Sequence, residues 1–140
     1  MRTWVTRPHA RGSPPRDREC GSATLSLVVA FPALLALILL TVQAGLLIHA
    51  RHLAQAAAVE GLRQVRLYGG STTDGQDTAA AFLTQTGPGL LTGVRITATR
   101  GPASAAVTVT GSARSLLPGV PLHVTAQATG PVEQFQAANP

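Results

Sequence analysis

Residues 21–50 decide the fold, and they read GSATLSLVVAFPALLALILLTVQAGLLIHA. No Asp, Glu, Lys or Arg lies between Glu19 and Arg51. A helix needs only about 20 predominantly apolar residues to cross a hydrocarbon core of roughly 30 Å, and it satisfies its backbone hydrogen bonds internally. The stretch therefore predicts a transmembrane helix over residues 21–50 with residues to spare.

The same residues allow a second interpretation, the apolar core of a secretory signal peptide. Such a core is usually about 7–15 residues long and is followed by a cleavage site of small residues. The run from Leu25 to Leu40 already reaches that limit, and apolar residues resume at 46–48. Small residues occur around Val42-Gln43-Ala44. Cleavage there would release a small secreted protein, and this alternative stays open beside the membrane anchor.

The arginines predict how the helix is oriented. Five of the eleven Arg precede Cys20, and the leader 1–20 combines them with three Pro and no apolar period. This composition predicts a disordered arm. Fewer Arg flank the other end of the apolar run, and cationic flanks favour the cytoplasmic side. We therefore expect a single-pass protein of the cell membrane, with its N-terminus cytoplasmic and its C-terminus extracytoplasmic.

Composition excludes several classes of function. The net charge of +5 invites nucleic-acid binding, but much of the excess lies in the leader and no basic face with interleaved aromatic residues follows it. No nucleic-acid partner is expected. The chain has no Lys, which excludes a P-loop and Schiff-base chemistry. The single Cys20 cannot form an internal disulfide.

Beyond the apolar run, residues 51–70 predict an extracytoplasmic extension of the same helix. The segment is rich in helix formers, and Val59, Leu62 and Val65 are predicted to form an apolar lane along it. Gly69-Gly70 is the expected C-terminal stop.

Residues 71–132 predict a small α+β domain, and residues 133–140 a tail. Its first segment, STTDGQD, has the composition of a loop, and Asp77 is the expected cap of a short helix with the sequence TAAAFLTQT.

Period-two alternation follows the short helix and predicts a three-stranded antiparallel meander with one buried face. Three segments carry this pattern: 94–98, 105–110 and 120–128. Three strands need a cover, which the lane of the extension, helped by Phe82 and Leu83, is expected to supply. The predicted fold class is α+β and membrane-anchored.

Candidate chemical groups do not combine into a site. His49 and His52 lie one helical turn apart without a nearby acid or Cys, which leaves them short of the three or four ligands of a zinc site. Asp74 and Asp77 fit turn and cap roles. His123 is expected on the exposed face of a strand, with no nucleophile or acid beside it. The sequence predicts no enzyme, no metal and no cofactor.

Thr41, Gln43 and Gly45 lie toward the outer end of the apolar run. Small and polar residues at such positions let helices approach and hydrogen-bond across an interface. We therefore expect these residues to contact a partner helix, in an oligomer or in another membrane protein. The alternative is that single polar residues near a membrane boundary are simply tolerated.

The segment from Arg18 to Ser71 resembles the TadE-like family of tight-adherence (Flp) pilus assembly proteins, in its actinobacterial form. The similarity rests on four features: Gly21-Ser22-Ala23, Pro32 inside the apolar run, Gln43-Ala44-Gly45, and the Ala-rich continuation that ends in Tyr68-Gly69-Gly70. It implies a pilin-like layout. It also implies a structural or accessory membrane component of a tight-adherence pilus or related secretion assembly, with other membrane proteins of that assembly as partners. An extracytoplasmic binding module without any pilus connection is the remaining alternative.

One position departs from the family pattern. Members commonly carry Glu five residues after the Gly, where this chain has Ser26. In pilins that buried carboxylate is thought to meet the amine of a neighbouring subunit, and Ser26 supplies no such charge. The chain is then either a non-polymerising accessory component or an anchor that is never cleaved. The resemblance implies Gly21 as the possible processing position and Ser22 as the mature N-terminus.

Overall fold

The computed structural model describes residues 19–117 and 119–133, with side chains from Ser26 onward. The chain divides into two units, Met1–Ile38 and Leu39–Pro140. Residues 1–18 of the expected disordered arm and the end of the predicted tail lie outside the described residues, whereas Glu19 and Cys20, also assigned to the arm, belong to the first helix. The helices and strands, in chain order, are α1 (Glu19–Arg66), α2 (Thr72–Thr86), β1 (Leu91–Arg100), β2 (Ser104–Ala113) and β3 (Leu122–Pro131).

In the first unit, the described chain is helical from residue 19 to residue 38 and belongs to α1. Pro32 lies inside this stretch. A proline in a helix interior removes one hydrogen bond and costs about 3 kcal/mol in water. Transmembrane helices tolerate it better, because local adjustments satisfy the freed backbone groups.

The second unit is an open three-stranded antiparallel sheet whose inner face is covered by helices. Its strand order is β1-β2-β3, with the central pairs Ala98↔Val107 and Val107↔Ala128 in register. Alternate residues of β2 and β3 point into the core, as the period-two pattern predicts. The predicted α+β class, with a long helix, a short helix and a three-stranded meander, is confirmed. The buried core residues of the sheet are Ala105, Val107, Val109, Ala113, Val124, Ala126 and Ala128.

Within this unit, α1 covers the sheet with a face that differs from the predicted lane. Leu62 and Val65 are buried as expected, but Val59 is 40% exposed. In a helix of 3.6 residues per turn, three residues cover about 300°, which is about 60° short of a full turn. Val59 and Val65 are two such steps apart, so their side chains lie about 120° apart around the helix axis. The buried face instead repeats at intervals of three and four residues. It consists of Ala50, Leu53, Ala54, Ala57, Ala58, Leu62 and Val65.

The start of α2 differs from the prediction. Residues 72–77 belong to the helix, and the cap is Ser71, whose Oγ accepts a hydrogen bond from the Asp74 N–H at 3.0 Å. Asp77 therefore lies inside the helix and does not cap it. Gly75, which suggested a loop, is buried against α1. The glycine is needed there for close packing of the two helices, which overrides its low helix propensity.

Hydrogen bonds tie the C-terminal end of α1 to the sheet. The Arg100 guanidinium donates to the carbonyl oxygens of Val65 and Leu67, and Arg66 Nε donates to the Pro131 carbonyl at 2.7 Å. Gly69 follows with a φ of +75°, a conformation that glycine adopts at little cost. The predicted stop at Gly69-Gly70 therefore falls at the turn just after the helix.

The first strand is less regular than its alternation suggests. The register between β1 and β2 shifts between Thr92 and Arg95, where Gly93 has a φ of +61°. This bulge leaves Val94 40% exposed, whereas Ile96 packs against the core. Bulges bend a strand and re-aim its side chains, so Val94 is more exposed than its place in the alternation predicts.

Candidate functional site

The N-terminal half of α1 exposes apolar side chains on every side. All large apolar residues from Leu27 to Ile38 are more than half exposed, from Leu35 at 54% to Val29 at 71%. A helix that is hydrophobic all around its circumference is found inside a membrane or inside a larger protein core. No described residue of the first unit provides such a core.

By length and composition, α1 is apolar enough to cross a membrane, and it is the one helix of that kind among the described residues. The candidate span begins at Ser26, close to the N-terminus. The helix runs without a break through the predicted transmembrane segment 21–50 and through the predicted extension as far as Arg66, so residues 67–70 of that extension lie outside it. A single candidate membrane helix near the N-terminus indicates membrane anchoring.

Gln43 has a defined role inside the second unit. Its side chain is only 6% exposed, although the neighbouring residues Val42 and Ala44 are exposed. The Gln43 Oε1 accepts a hydrogen bond from the Leu116 N–H at 2.9 Å, and its Nε2 donates to Ser115 Oγ at 3.3 Å. The Ser115 hydroxyl in turn donates to the Leu117 carbonyl oxygen at 2.9 Å. The amide thus joins α1 to the loop between β2 and β3, residues 114–121.

Thr41 and Gly45, the other two predicted contact residues, are exposed on α1. They lie four residues apart, so they share one side of the helix. A Cβ atom built on Gly45 would meet nothing within 4 Å. The space at Gly45 leaves room for close approach by another helix, and the Gln43 amide is bonded to the loop.

The β2–β3 loop presents apolar side chains among its described residues, 114–117 and 119–121. Leu116 is 50% exposed and Val120 is 46% exposed. Gly119 between them has a φ of +85°, which allows the chain to turn sharply. The loop sequence RSLLPGVP carries one Arg and no acid. Its apolar tip and its link to Gln43 could not be foreseen from any local pattern.

The candidate metal and acid–base residues remain apart, with one exception. His49 and His52 are exposed on α1, and no group of three His, Cys, Asp or Glu comes together among residues 19–117 and 119–133. His123 does have a nucleophile beside it, contrary to expectation, because Ser112 pairs with it across the strands at 3.4 Å. The pocket around this pair contains Arg95 but no described carboxylate that could orient the imidazole. The pair lacks the third group of a nucleophilic site.

An open groove of about 460 Å³ lies between α2 and β1. Leu83, Leu91, Val94 and Ile96 give it an apolar wall, and Asp77 is the one ionisable residue in its lining. Among the described residues, neither an acid–base pair nor a ligand set lines this groove.

One family model matches part of the chain. The model of the family described as TadE-like protein matches residues 21–63, which is 43 of the 140 residues. This match confirms the resemblance drawn from the sequence, and it starts at the Gly21 on which that resemblance rests. It covers most of α1, including the exposed apolar part and most of the face that packs on the sheet. No curated protein and no solved structure matches the chain significantly.

Proposed function

We propose that this chain, whose residues 21–63 match TadE-like proteins, is a single-pass membrane component of a tight-adherence pilus or related secretion assembly. The observation that carries the proposal is that all the residues matched by the family model lie within one long helix. That helix exposes apolar side chains at its N-terminal half and supplies the core of the second unit with its C-terminal half. An anchored protein with a small head requires both properties.

The proposed arrangement assigns each segment of the chain to a compartment. Residues 1–20 are cytoplasmic, residues 21–50 contain the span, and residues 51–132 form the extracytoplasmic helix extension and domain. The five Arg of the leader support this orientation, because cationic flanks are retained in the cytoplasm.

The protein works through contacts and performs no chemical step in this proposal. Thr41 and Gly45 supply a surface where a helix of another copy or of another assembly component can approach closely. Gln43 would have to release the β2–β3 loop to join that contact. The main route for helix association is therefore the side of α1 that carries Thr41 and Gly45.

Processing at Gly21 would leave Ser22 as the mature N-terminus. Ser26 provides no buried carboxylate to meet the amine of a neighbouring subunit, so the proposal favours an accessory component over a polymerising subunit. Intact-mass measurement of the membrane-extracted protein tests the processing step. A mass that starts at Ser22 supports it, and an intact Met1 end contradicts it while leaving the anchor in place.

Carbonate extraction combined with protease protection tests the anchor. We expect the chain to stay in the membrane pellet, with residues from Ser71 onward accessible only to protease added outside the cell. A soluble product starting near Gly45 would support the secreted alternative. Such cleavage would also remove Gln43 and its two hydrogen bonds to the β2–β3 loop, whereas the anchored form keeps them.

A further inference from the structure

We propose that Leu116 and Val120 of the β2–β3 loop form a second membrane contact, which inserts into the outer edge of the bilayer that α1 crosses. The inference rests on the proposed membrane span and adds to it a defined lipid contact of the head. It follows from the depth of Gln43, the exposure of the loop tip, and the charge of the loop.

The depth of the loop follows from its attachment to α1. The first charged residue after the apolar run is Arg51, and Gln43 precedes it by eight residues. At a rise of 1.5 Å per residue, Gln43 lies about 12 Å closer to the bilayer centre along a helix normal to the membrane. Each headgroup layer is only about 5–8 Å thick, since a bilayer measures roughly 40–45 Å with a 30 Å hydrocarbon core. With Arg51 at the outer surface, Gln43 therefore lies beyond the headgroup layer, about 4–7 Å inside the outer edge of the hydrocarbon core.

The hydrogen bonds of Gln43 fit this location. An amide at the hydrocarbon boundary has little water around it and needs partners from the protein. The Leu116 N–H and the Ser115 hydroxyl are those partners. The same bonds place the loop backbone beside the turn of α1 that carries Leu40 and Val42, which are 61% and 47% exposed.

The side chains of the loop also suit lipid. Leu116 and Val120 extend the apolar surface of this part of α1, and their exposure to water would be unfavourable. Arg114 lies at the base of the loop, is exposed, and has no acid near it within 114–121. A guanidinium at that position can reach lipid phosphates while its stem stays in the apolar layer. The occupant that satisfies both features is a phospholipid surface.

Fluorescence quenching by brominated phospholipids tests the inference on the full chain. The chain has a single Trp, so Trp4→Phe provides a background without intrinsic Trp fluorescence. In that background, Leu116→Trp is compared with Ala103→Trp, which lies in the β1–β2 turn at the opposite end of the antiparallel sheet. Leu35→Trp reports on the span itself. All variants are reconstituted in vesicles of phosphatidylcholine and phosphatidylglycerol.

We expect the Leu116→Trp fluorescence to be quenched several times more strongly than that of Ala103→Trp, and most strongly by lipids brominated close to the headgroup. Val120→Trp, at the other side of the loop tip, should behave alike and guards against misfolding of one variant. Adding Gln43→Ala should reduce the quenching toward the Ala103→Trp level, because the loop loses its attachment to α1.

Two outcomes overturn the inference, and they differ in what else they affect. If Leu35→Trp is quenched by lipids brominated near the bilayer centre but Leu116→Trp and Val120→Trp match Ala103→Trp, the loop lies in water and only the span survives. If Leu35→Trp is not quenched either, the proposed membrane function fails together with the loop contact.

Discussion

Gly61 of α1 and Gly75 of α2 approach each other so closely that a Cβ atom built on Gly61 would lie 2.6 Å from the Gly75 carbonyl oxygen. A Cβ atom on Gly75 would in turn overlap Val65 Cγ2. Both glycines are buried inside helices, where glycine is ordinarily a destabilising residue. Because neither residue has a side chain, the backbones of the two helices can pack directly against each other.

Gly61→Ala should therefore destabilise the second unit, by about 1–2 kcal/mol. The usual helix gain of about 0.5–1 kcal/mol is outweighed by an overpacking cost of about 1–3 kcal/mol, because the obstructing atom belongs to the backbone. Thermal unfolding of the full chain in detergent micelles measures the effect. Gly45→Ala is the matched control, since its Cβ meets nothing within 4 Å. A stabilising Gly61→Ala would show that the helices can separate at no cost.

Val65→Ala should cost about 1.5–3 kcal/mol, whereas Val59→Ala on the same helix should change the stability by less than about 0.5 kcal/mol. Val65 is fully buried and loses roughly 0.8 kcal/mol for each deleted carbon plus a cavity cost. Val59 is 40% exposed. Denaturant unfolding of the two variants compares them directly, and equal losses would contradict the assignment of the buried face.

Ser71→Ala should lower the stability by about 1 kcal/mol, because the Asp74 N–H loses its capping acceptor. Ser71→Asp keeps an acceptor at the N-terminus of α2 and should recover most of the loss. Asp77→Ala serves as the comparison for the cap that the sequence suggested. A larger effect of Asp77→Ala than of Ser71→Ala would restore that first prediction.

Gln43→Ala should cost about 1–3 kcal/mol, since it leaves the Leu116 N–H without its acceptor and removes the amide donor to the Ser115 hydroxyl. Hydrogen exchange of the Leu116 amide gives a local measurement, and exchange should become faster. Gln55→Ala is the control, because Gln55 is exposed and makes one bond of 3.3 Å to the Gln127 carbonyl. Unchanged exchange at Leu116 would mean that the loop holds its conformation without α1.

Arg100→Ala should cost about 1–2 kcal/mol, since the carbonyls of Val65 and Leu67 at the C-terminal end of α1 lose a charged donor. Arg95→Ala, an exposed position on the same strand, should have little effect. Unfolding of both variants in micelles provides the measurement. Arg100→Lys tests whether charge alone suffices, and full recovery by lysine would argue against a requirement for the guanidinium geometry.

Local periodicity accounts for what the sequence predicted well. The charge-free run specified one long helix, and alternation in Val107, Val109 and Val124 specified strands with one buried face. Both patterns follow from backbone geometry alone. The Ser71-Thr72-Thr73-Asp74 sequence also carried a capping signal, since Ser or Thr followed three residues later by an acid is typical of a helix start. That signal could have located the start of α2.

Contacts between distant segments explain the remaining differences. The local sequence predicts Gly75 in a loop, but in the fold it packs against Gly61. The local sequence predicts Val59 in the core, but the sheet packs against the neighbouring alanines instead. Gln43 and Ser115 are hydrogen-bonded although they are 72 positions apart in sequence, and no local pattern around either residue predicts the other. Such relationships arise from tertiary packing, which overrides local propensity.

The contribution of α1 to the core sets a practical limit on shortened versions of this protein. The helix face that covers Val107, Val109 and Val124 starts at Ala50. A fragment beginning at Ser71 would therefore expose these three residues to water and would tend to aggregate. A water-soluble fragment suited to crystallisation or antibody production would have to retain the chain from about Ala50, and from Gln43 if the β2–β3 loop is to keep its shape.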